Sequence, residues 1–282
     1  MKEFYSELQS GNGPVFLNMT HLAEETIGEI ETILHSNERP SRGRFHERRG
    51  TDYRESMVEM HISEIGFCSG HSASGVWVDE NARTTIAGLY AAGDMASVPH
   101  NYMLGAFVNG GIAGQDAADY CTATDLPAYD PGQVLAEQER VLAPTRREDG
   151  FSPYEVEYKT RRLVNDYLQP PKVTAKYRIA QQRFGEIRED LKHVAVRDPH
   201  ELMRSLELSS ILDCADMAAA ASLYRTESRW GLYHWRVDHP ATDNDNWFCH
   251  TLLYKDAQGR MAHKKREVDP YVVEIPDEEM GA

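Results

Sequence analysis

The sequence predicts a mixed α/β segment that leads into a helical bundle, and three observations carry that expectation. Small residues crowd together between Gly66 and Tyr120, where apolar runs are bounded by glycine. From Pro131 onward, segments with helical spacing alternate with proline-containing breaks. No stretch approaches the roughly 18 consecutive apolar residues of a membrane span, and a chain with 41% hydrophobic and 27% charged residues has ordinary globular composition.

The elements follow in order. Lys2 to Ser10 reads as a helix stopped by Gly11-Asn12-Gly13-Pro14, and Val15-Phe16-Leu17 as a strand. Asn18 or Thr20 is placed to cap a helix from His21 to His35. The basic, polar run from Arg39 to Arg54 reads as a solvated loop or connector. Val76-Trp77-Val78 is a short strand, Asp79-Glu80-Asn81-Ala82 a turn, and Ile86 to Ala92 a continuous apolar run of buried-strand type ending in Gly93-Asp94. Leu104 to Cys121 reads as a helix despite Gly105, Gly110, Gly111 and Gly114. Each glycine costs ~0.8–1 kcal/mol relative to alanine, so close packing against a strand or a flat cofactor is expected to compensate. Helices are then expected over Val134 to Leu142, Pro153 to Tyr167, Val173 to Leu191 and Pro199 to Leu223. In the last, Leu208, Ile211, Leu212, Ala215 and Ala219 form a core stripe. Arg225 to Ala282 is less regular, rich in Trp, His and Arg, and ends in IPDEEMGA.

Thirty Lys+Arg against 45 Asp+Glu leave a net charge of −15 over 282 residues, which argues against sequence-independent nucleic-acid binding. Cys68, Cys121, Cys214 and Cys249 lie far apart with no C-x-x-C pair, so they offer no zinc or iron–sulfur ligand set and read as free thiols. The N-terminus has neither the basic nor the apolar region of a secretory signal, and a cytoplasmic location is expected.

The strongest local signal is GLYAAGD, Gly88 to Asp94, followed by the glycine-rich helix. At a strand end, an acid beside a glycine can accept hydrogen bonds from ligand hydroxyls while the backbone comes close. The helix N-terminus then offers free N–H groups and a positive dipole end to an anion. A flavin meets both demands, through its ribityl hydroxyls and the negative charge on its reduced ring. The bland alternative is a turn with Asp94 as a cap.

The order of motifs resembles the C-terminal half of succinate dehydrogenase/fumarate reductase-type FAD flavoproteins. GLYAAGD matches that family's flavin-contacting strand end. Arg225-Thr226-Glu227-Ser228-Arg229, with His234, Arg236, Asp238, Pro240, Asp243, Asp245-Asn246-Trp247 and His250-Thr251, resembles its C-terminal signature. SEIGFCSGHSASGVWV and VNGGIAG are closer to the adenylylsulfate reductase α-subunit branch, and GNGPVFLNM looks like the end of the mobile capping domain.

The fold this implies is α+β/α. Residues 1–60 would be the end of a capping domain and a connector, and 61–130 the C-terminal part of the flavin-binding α/β domain. Residues 131–224 would be a helical bundle domain and 225–282 an irregular tail. The resemblance places Gly93, Asp94, Gly105, Val108 and Asn109 on the FAD side. It places His71 beside the flavin as the catalytic group, binding an anionic substrate or moving a proton, and Met103, Arg229 and His234 on the substrate side. His71 has a bland alternative too, a histidine satisfied by its serine neighbours.

Two departures from the family pattern stand out. The GxGxxG turn that holds the FAD pyrophosphate is absent near the start, and the stretch supplying the proton-donating arginine would lie before Met1. The chain is therefore expected to be a C-terminal piece, from a fragmented gene, a truncation or a split enzyme, completed in cis or in trans by an N-terminal flavin-binding half. Dicarboxylate-handling relatives also keep a clamping arginine where Asn101-Tyr102-Met103-Leu104-Gly105 places Met103, and a thioether cannot hold a carboxylate. The cluster Arg225, Glu227, Arg229, His234 and Arg236 reads either as an anion site or, more readily, as a structural ion-pair network, whereas His234, His239, Cys249 and His250 lack metal-ligand spacing.

The expected function is that of an FAD-dependent oxidoreductase flavoprotein subunit passing electrons between a substrate and an iron–sulfur partner subunit. The alternatives are an aspartate oxidase-type flavoenzyme, a non-catalytic interaction module, or a gene remnant without flavin.

Overall fold

A computed structural model describes residues 2–38, 40–60, 74–98, 102–126, 128–229, 231 and 234–268. The chain divides into two units, Met1–Ser63 and Glu64–Ala282.

The first unit holds α1 (Lys2–Gln9), β1 (Val15–Leu17), α2 (Glu24–Glu31), α3 (Pro40–Glu47) and β2 (Val58–Met60). β1 pairs antiparallel with β2, Val15 opposite Met60. Ile27, Met19 and Tyr53 form a small core, with Leu22, Ile30 and Val58 against it. The helix expected from His21 begins instead at Glu24, because Asn18 Oδ1 spends itself on a local turn, accepting from the N–H and hydroxyl of Thr20. Beyond Glu31 it widens into a π-helical stretch, Thr32–Glu38.

The expected loop from Arg39 to Arg54 is corrected by α3. Pro40 supplies a preset φ at the first helical position, and His46 is buried against His35 and Tyr53. Gly43 shows why periodicity missed this helix. A Cβ there would lie 2.8 Å from the Cβ of His35, so the helix forms through a close approach between elements rather than through an apolar stripe.

In the second unit, residues 74–98 form turns and isolated bridges. Val76 pairs with Ala96 at a single parallel bridge instead of within a strand. Ile86 to Ala92 is not a buried strand: Ile86 is 62% and Leu89 50% exposed. A buried strand needs a ladder on each side, and here, among the described residues, residues 82–84 alone pair with it along the backbone, with Thr84 N–H donating to Leu89 O and Ala91 N–H to Ala82 O.

α4 (Tyr102–Ala123) follows as expected, then α5 (Pro131–Leu142), α6 (Pro153–Tyr167), α7 (Thr174–Leu191) and α8 (Pro199–Tyr224). Their starts are written in the sequence. Asp130 and Asp198 cap α5 and α8 ahead of a proline, and Ser152 with Glu155 forms a capping box on α6. α6, α7 and α8 enclose the main core of Val156, Tyr177, Phe184, Leu208 and Leu212 with their neighbours. Leu208, Leu212, Ala215 and Ala219 are buried as the stripe requires, while Ile211 is half-buried.

The tail is more regular than expected. After a short turn of helix, α9 (Asn244–Trp247), β3 (Cys249–Lys255) pairs in an antiparallel hairpin with β4 (Met261–Glu267). Asp256 Oδ1 accepts the N–H groups of Gln258 and Arg260, and Gly259 takes φ +74° to close the turn.

Candidate functional site

A polar triad ties the glycine-rich segment to α4. Arg83 forks onto Asp116 of α4 at 2.6 and 2.5 Å, and the Tyr90 hydroxyl donates to the same carboxylate at 2.7 Å. Asp116 is thereby held below the usual carboxylate range, chiefly by Arg83 and then by Tyr90. This triad fastens the arm carrying Gly88 to α4, where the Tyr120 ring lies 3.1 Å from where a Cβ on Gly88 would sit.

The chain then turns at Gly93, whose φ of +66° favours glycine, in a short 3₁₀ turn, Gly93–Met95. Asp94 is exposed within this turn, and the first N–H groups of α4 have no intrahelical partners. One face of α4 is apolar and open: Met103 is 70%, Phe107 72% and Val108 54% exposed, with Leu104 beside them. Cβ atoms added at Gly110, Gly111 and Gly114 would meet nothing within 4 Å, so the compensation expected for these glycines is not supplied by the described residues. Gly105 and Asn109 are half-buried, and the Asn109 amide donates to Gly105 O at 2.8 Å, leaving its carbonyl oxygen uncommitted by that bond. His71 and Asn101 lie outside the described residues.

These features fit the ring side of a flavin. A φ-positive glycine brings backbone close, an exposed acid sits beside it in the same turn, and an apolar helix face lies open with glycines along it. They offer no glycine turn for a pyrophosphate.

Arg229 and His234 are brought together elsewhere, where Arg229 N–H donates to His234 O. Arg229 forks onto Glu227 at 2.7 and 2.9 Å and reaches Asn244 at 2.8 Å. Glu227 is fully buried. Burial works to raise its pKa, but Arg229, the Asp243 N–H and Arg225 outweigh it and the net shift is downward. Arg236, also fully buried, forks onto Asp238 at 2.9 and 3.0 Å and donates to Ser222 O, Arg225 O and the Thr174 hydroxyl. The His234 ring, 3.2 Å from Arg225 O, is pushed down to about 3 by burial and by neighbouring Lys172, so it is neutral. The cluster has the contacts of an ion-pair network.

Sequence reasoning missed two groups. Lys172, buried with its ammonium 3.2 Å from Ser222 Oγ, is pushed down to about 8 by burial and by Arg236. Its position before α7 gave no signal. Arg83, Tyr90 and Asp116 were likewise invisible, being 26 to 33 residues apart in two of their pairs. Cys121 and Cys214 are free and exposed and Cys249 is free, while Cys68 lies outside the described residues. Among the described residues no helix is long and apolar enough to cross a membrane.

Two families match the chain: the FAD binding domain over residues 6–111 and the fumarate reductase flavoprotein C-terminal family over residues 159–280. An uncharacterised FAD-dependent oxidoreductase of Methanocaldococcus jannaschii is 26% identical over 257 residues, 86% of this chain and 44% of that protein. The fumarate reductase flavoprotein subunit of Mycobacterium tuberculosis is 30% identical over 216 residues, 66% of this chain and 35% of the subunit. Among solved structures, adenylylsulfate reductase of Archaeoglobus fulgidus superimposes with a TM-score of 0.76 at 21% identity, covering 96% of this chain and 50% of that one, a likeness of fold. The chain thus spans half or less of the length of these relatives. Matched by these two models over most of its length, the chain belongs to the succinate dehydrogenase/fumarate reductase family of FAD flavoproteins.

Proposed function

We propose that the chain is the C-terminal portion of an FAD-dependent oxidoreductase flavoprotein subunit that passes electrons between a small substrate and an iron–sulfur partner subunit. The observation that carries this is the open, glycine-bearing apolar face of α4 beside Gly93 and Asp94. In this reading Gly93 admits the cofactor to the backbone, Asp94 accepts a ribityl hydroxyl, and Gly105, Val108 and Asn109 line the ring side. Bound FAD supplies a ring able to take and return two electrons with a proton. The pyrophosphate site comes from an N-terminal flavin-binding half, in cis or in trans.

His71 faces the substrate, orienting an anionic group or carrying a proton. Met103 turns the site away from simple dicarboxylates, since a thioether offers no fork for a carboxylate. Arg229 and His234 act on the substrate side by shaping the loop that they brace. The widely spaced cysteines provide no cluster ligand set, which is why the electrons are assigned to a separate iron–sulfur subunit.

The test is reconstitution. The chain alone should bind FAD weakly or not at all, and adding the flavin-binding half should restore a yellow spectrum. In that holoprotein Asp94→Ala should cost about ten- to a hundredfold in flavin affinity. His71→Ala should lower turnover on the order of 10²–10⁴ with flavin content unchanged. Stoichiometric flavin on the isolated chain, or full retention in Asp94→Ala, would overturn the assignment.

A further inference from the structure

The basic run on α3 is not used by the proposed function. Arg42, Arg44, Arg48 and Arg49 are exposed, and among the described residues none of them pairs with a carboxylate, although the chain has 45 acids to 30 bases. Arg54, close by in sequence, shows that pairing is available within the same unit: it holds Glu24 and Glu31 of α2 together with Asp52. Arg44, Arg48 and Arg49 instead line a groove of about 510 Å³ with Pro40, Ser41 and Phe45. Phe45 is half exposed, with the Arg49 guanidinium 3.8 Å over its ring.

All six lining residues come from one helix and the turn that ends it. A groove walled on one side leaves a small ligand mostly in water, whereas ligand sites enclose most of the ligand surface. It suits a protein surface, with an aromatic–arginine centre of the kind that anchors interfaces.

The same unit carries the complement. Glu25 and Glu29 of α2 are exposed and, among the described residues, unpaired. They stand four residues apart, as Arg44 and Arg48 do, so each pair presents its charges one helical turn apart, about 5–6 Å between Cβ atoms. A unit bearing both halves of a match can satisfy itself twice in a two-fold dimer.

We infer that this chain self-associates through residues 1–63, the Arg44/Arg48 face of α3 in one copy meeting the Glu25/Glu29 face of α2 in a second, with Phe45 at the centre. Exposed ion pairs are individually weak and screened by salt, so the dimer is a weak one, favoured at low ionic strength.

Sedimentation of the full chain tests this, with far-ultraviolet circular dichroism confirming that the exposed charge changes leave the fold intact. At concentrations on the order of 0.1 mM, the wild type should be partly dimeric in low salt and become monomeric as salt is raised. The all-acidic variant Arg44→Glu/Arg48→Glu and the all-basic variant Glu25→Lys/Glu29→Lys should each be monomeric, and an equimolar mixture should recover a heterodimer. A monomeric wild type overturns the inference. So does association indifferent to salt and charge reversal, which would point to the apolar face of α4, and so does a mixture that stays monomeric, which would assign the arginines to an acidic partner other than this chain. Flavin binding is not part of the readout, so failure here leaves the functional reading intact.

Discussion

Residues 74–123 and residues 151–247 of the second unit solve the same physical problem in opposite ways. The helical region closes on itself: Tyr177, Phe184, Leu208 and Leu212 are fully buried, and the buried charges Glu227 and Arg236 have partners on several sides. The glycine-rich segment turns Met103, Leu104 and Phe107 outward and is tied down by Arg83, Tyr90 and Asp116. A closed core supports itself, while an open apolar face gains its stability from what covers it. The segment assigned to flavin is the one that the chain leaves open.

That contrast can be broken most sharply at Arg236. Replacing it by leucine takes the buried cation away from Asp238, which keeps only Thr174, and removes a donor from Ser222 O and Arg225 O, and it should cost about 3–5 kcal/mol, read as a shift in the denaturation midpoint. A change under ~1 kcal/mol, on the scale of an exposed pair, would show that the network is not the brace described.

The pH dependence comes next. His234 has a folded pKa of about 3 against 6.5 in the free side chain, because burial and Lys172 disfavour its cation. The unfolded chain therefore binds the extra proton between those values. Stability is fully present above about pH 6.5 and falls as the pH drops toward 3, by up to about 1.4 kcal/mol per pH unit. Asp238, held low by Arg236 first and then by Thr174, adds to the loss at lower pH. His234→Gln should flatten the upper part of this curve, and an unchanged slope would assign it to other groups.

On the open side, Asp116→Asn should speed hydrogen exchange in residues 83–91 and leave the α6–α8 amides protected. If both regions loosen together, the segment is not separately tethered. The smallest effect is expected from Phe107→Ser. At an exposed site it should change the stability of the isolated chain by less than ~0.5 kcal/mol, yet weaken flavin retention once the flavin-binding half is supplied. A large loss of stability in the chain alone would mean that the face is already covered.

By itself the sequence determined the helices whose signals are local. Pro153 after Ser152, Pro199 after Asp198 and the Leu208–Ala219 stripe place α6 and α8 because caps and periodicity act within a few residues. It also carried the family, since GLYAAGD and the Arg225–His250 signature are contiguous motifs. The tail hairpin was not read from the sequence: Asp256 and Gly259 carry a turn signal, but the strands flanking it have polar faces that hid them.

Only the tertiary structure decided the rest. The apolar run Ile86 to Ala92 has the composition of a buried strand, yet whether such a run is buried depends on neighbouring strands, which its own residues do not specify. α3 forms because Gly43 lets it approach His35, and the Arg83–Asp116 and Lys172–Ser222 contacts join residues 33 and 50 positions apart. Local free energies of capping and spacing are readable along the chain, whereas contacts across such distances exist only once folding has offset the entropy of bringing their ends together.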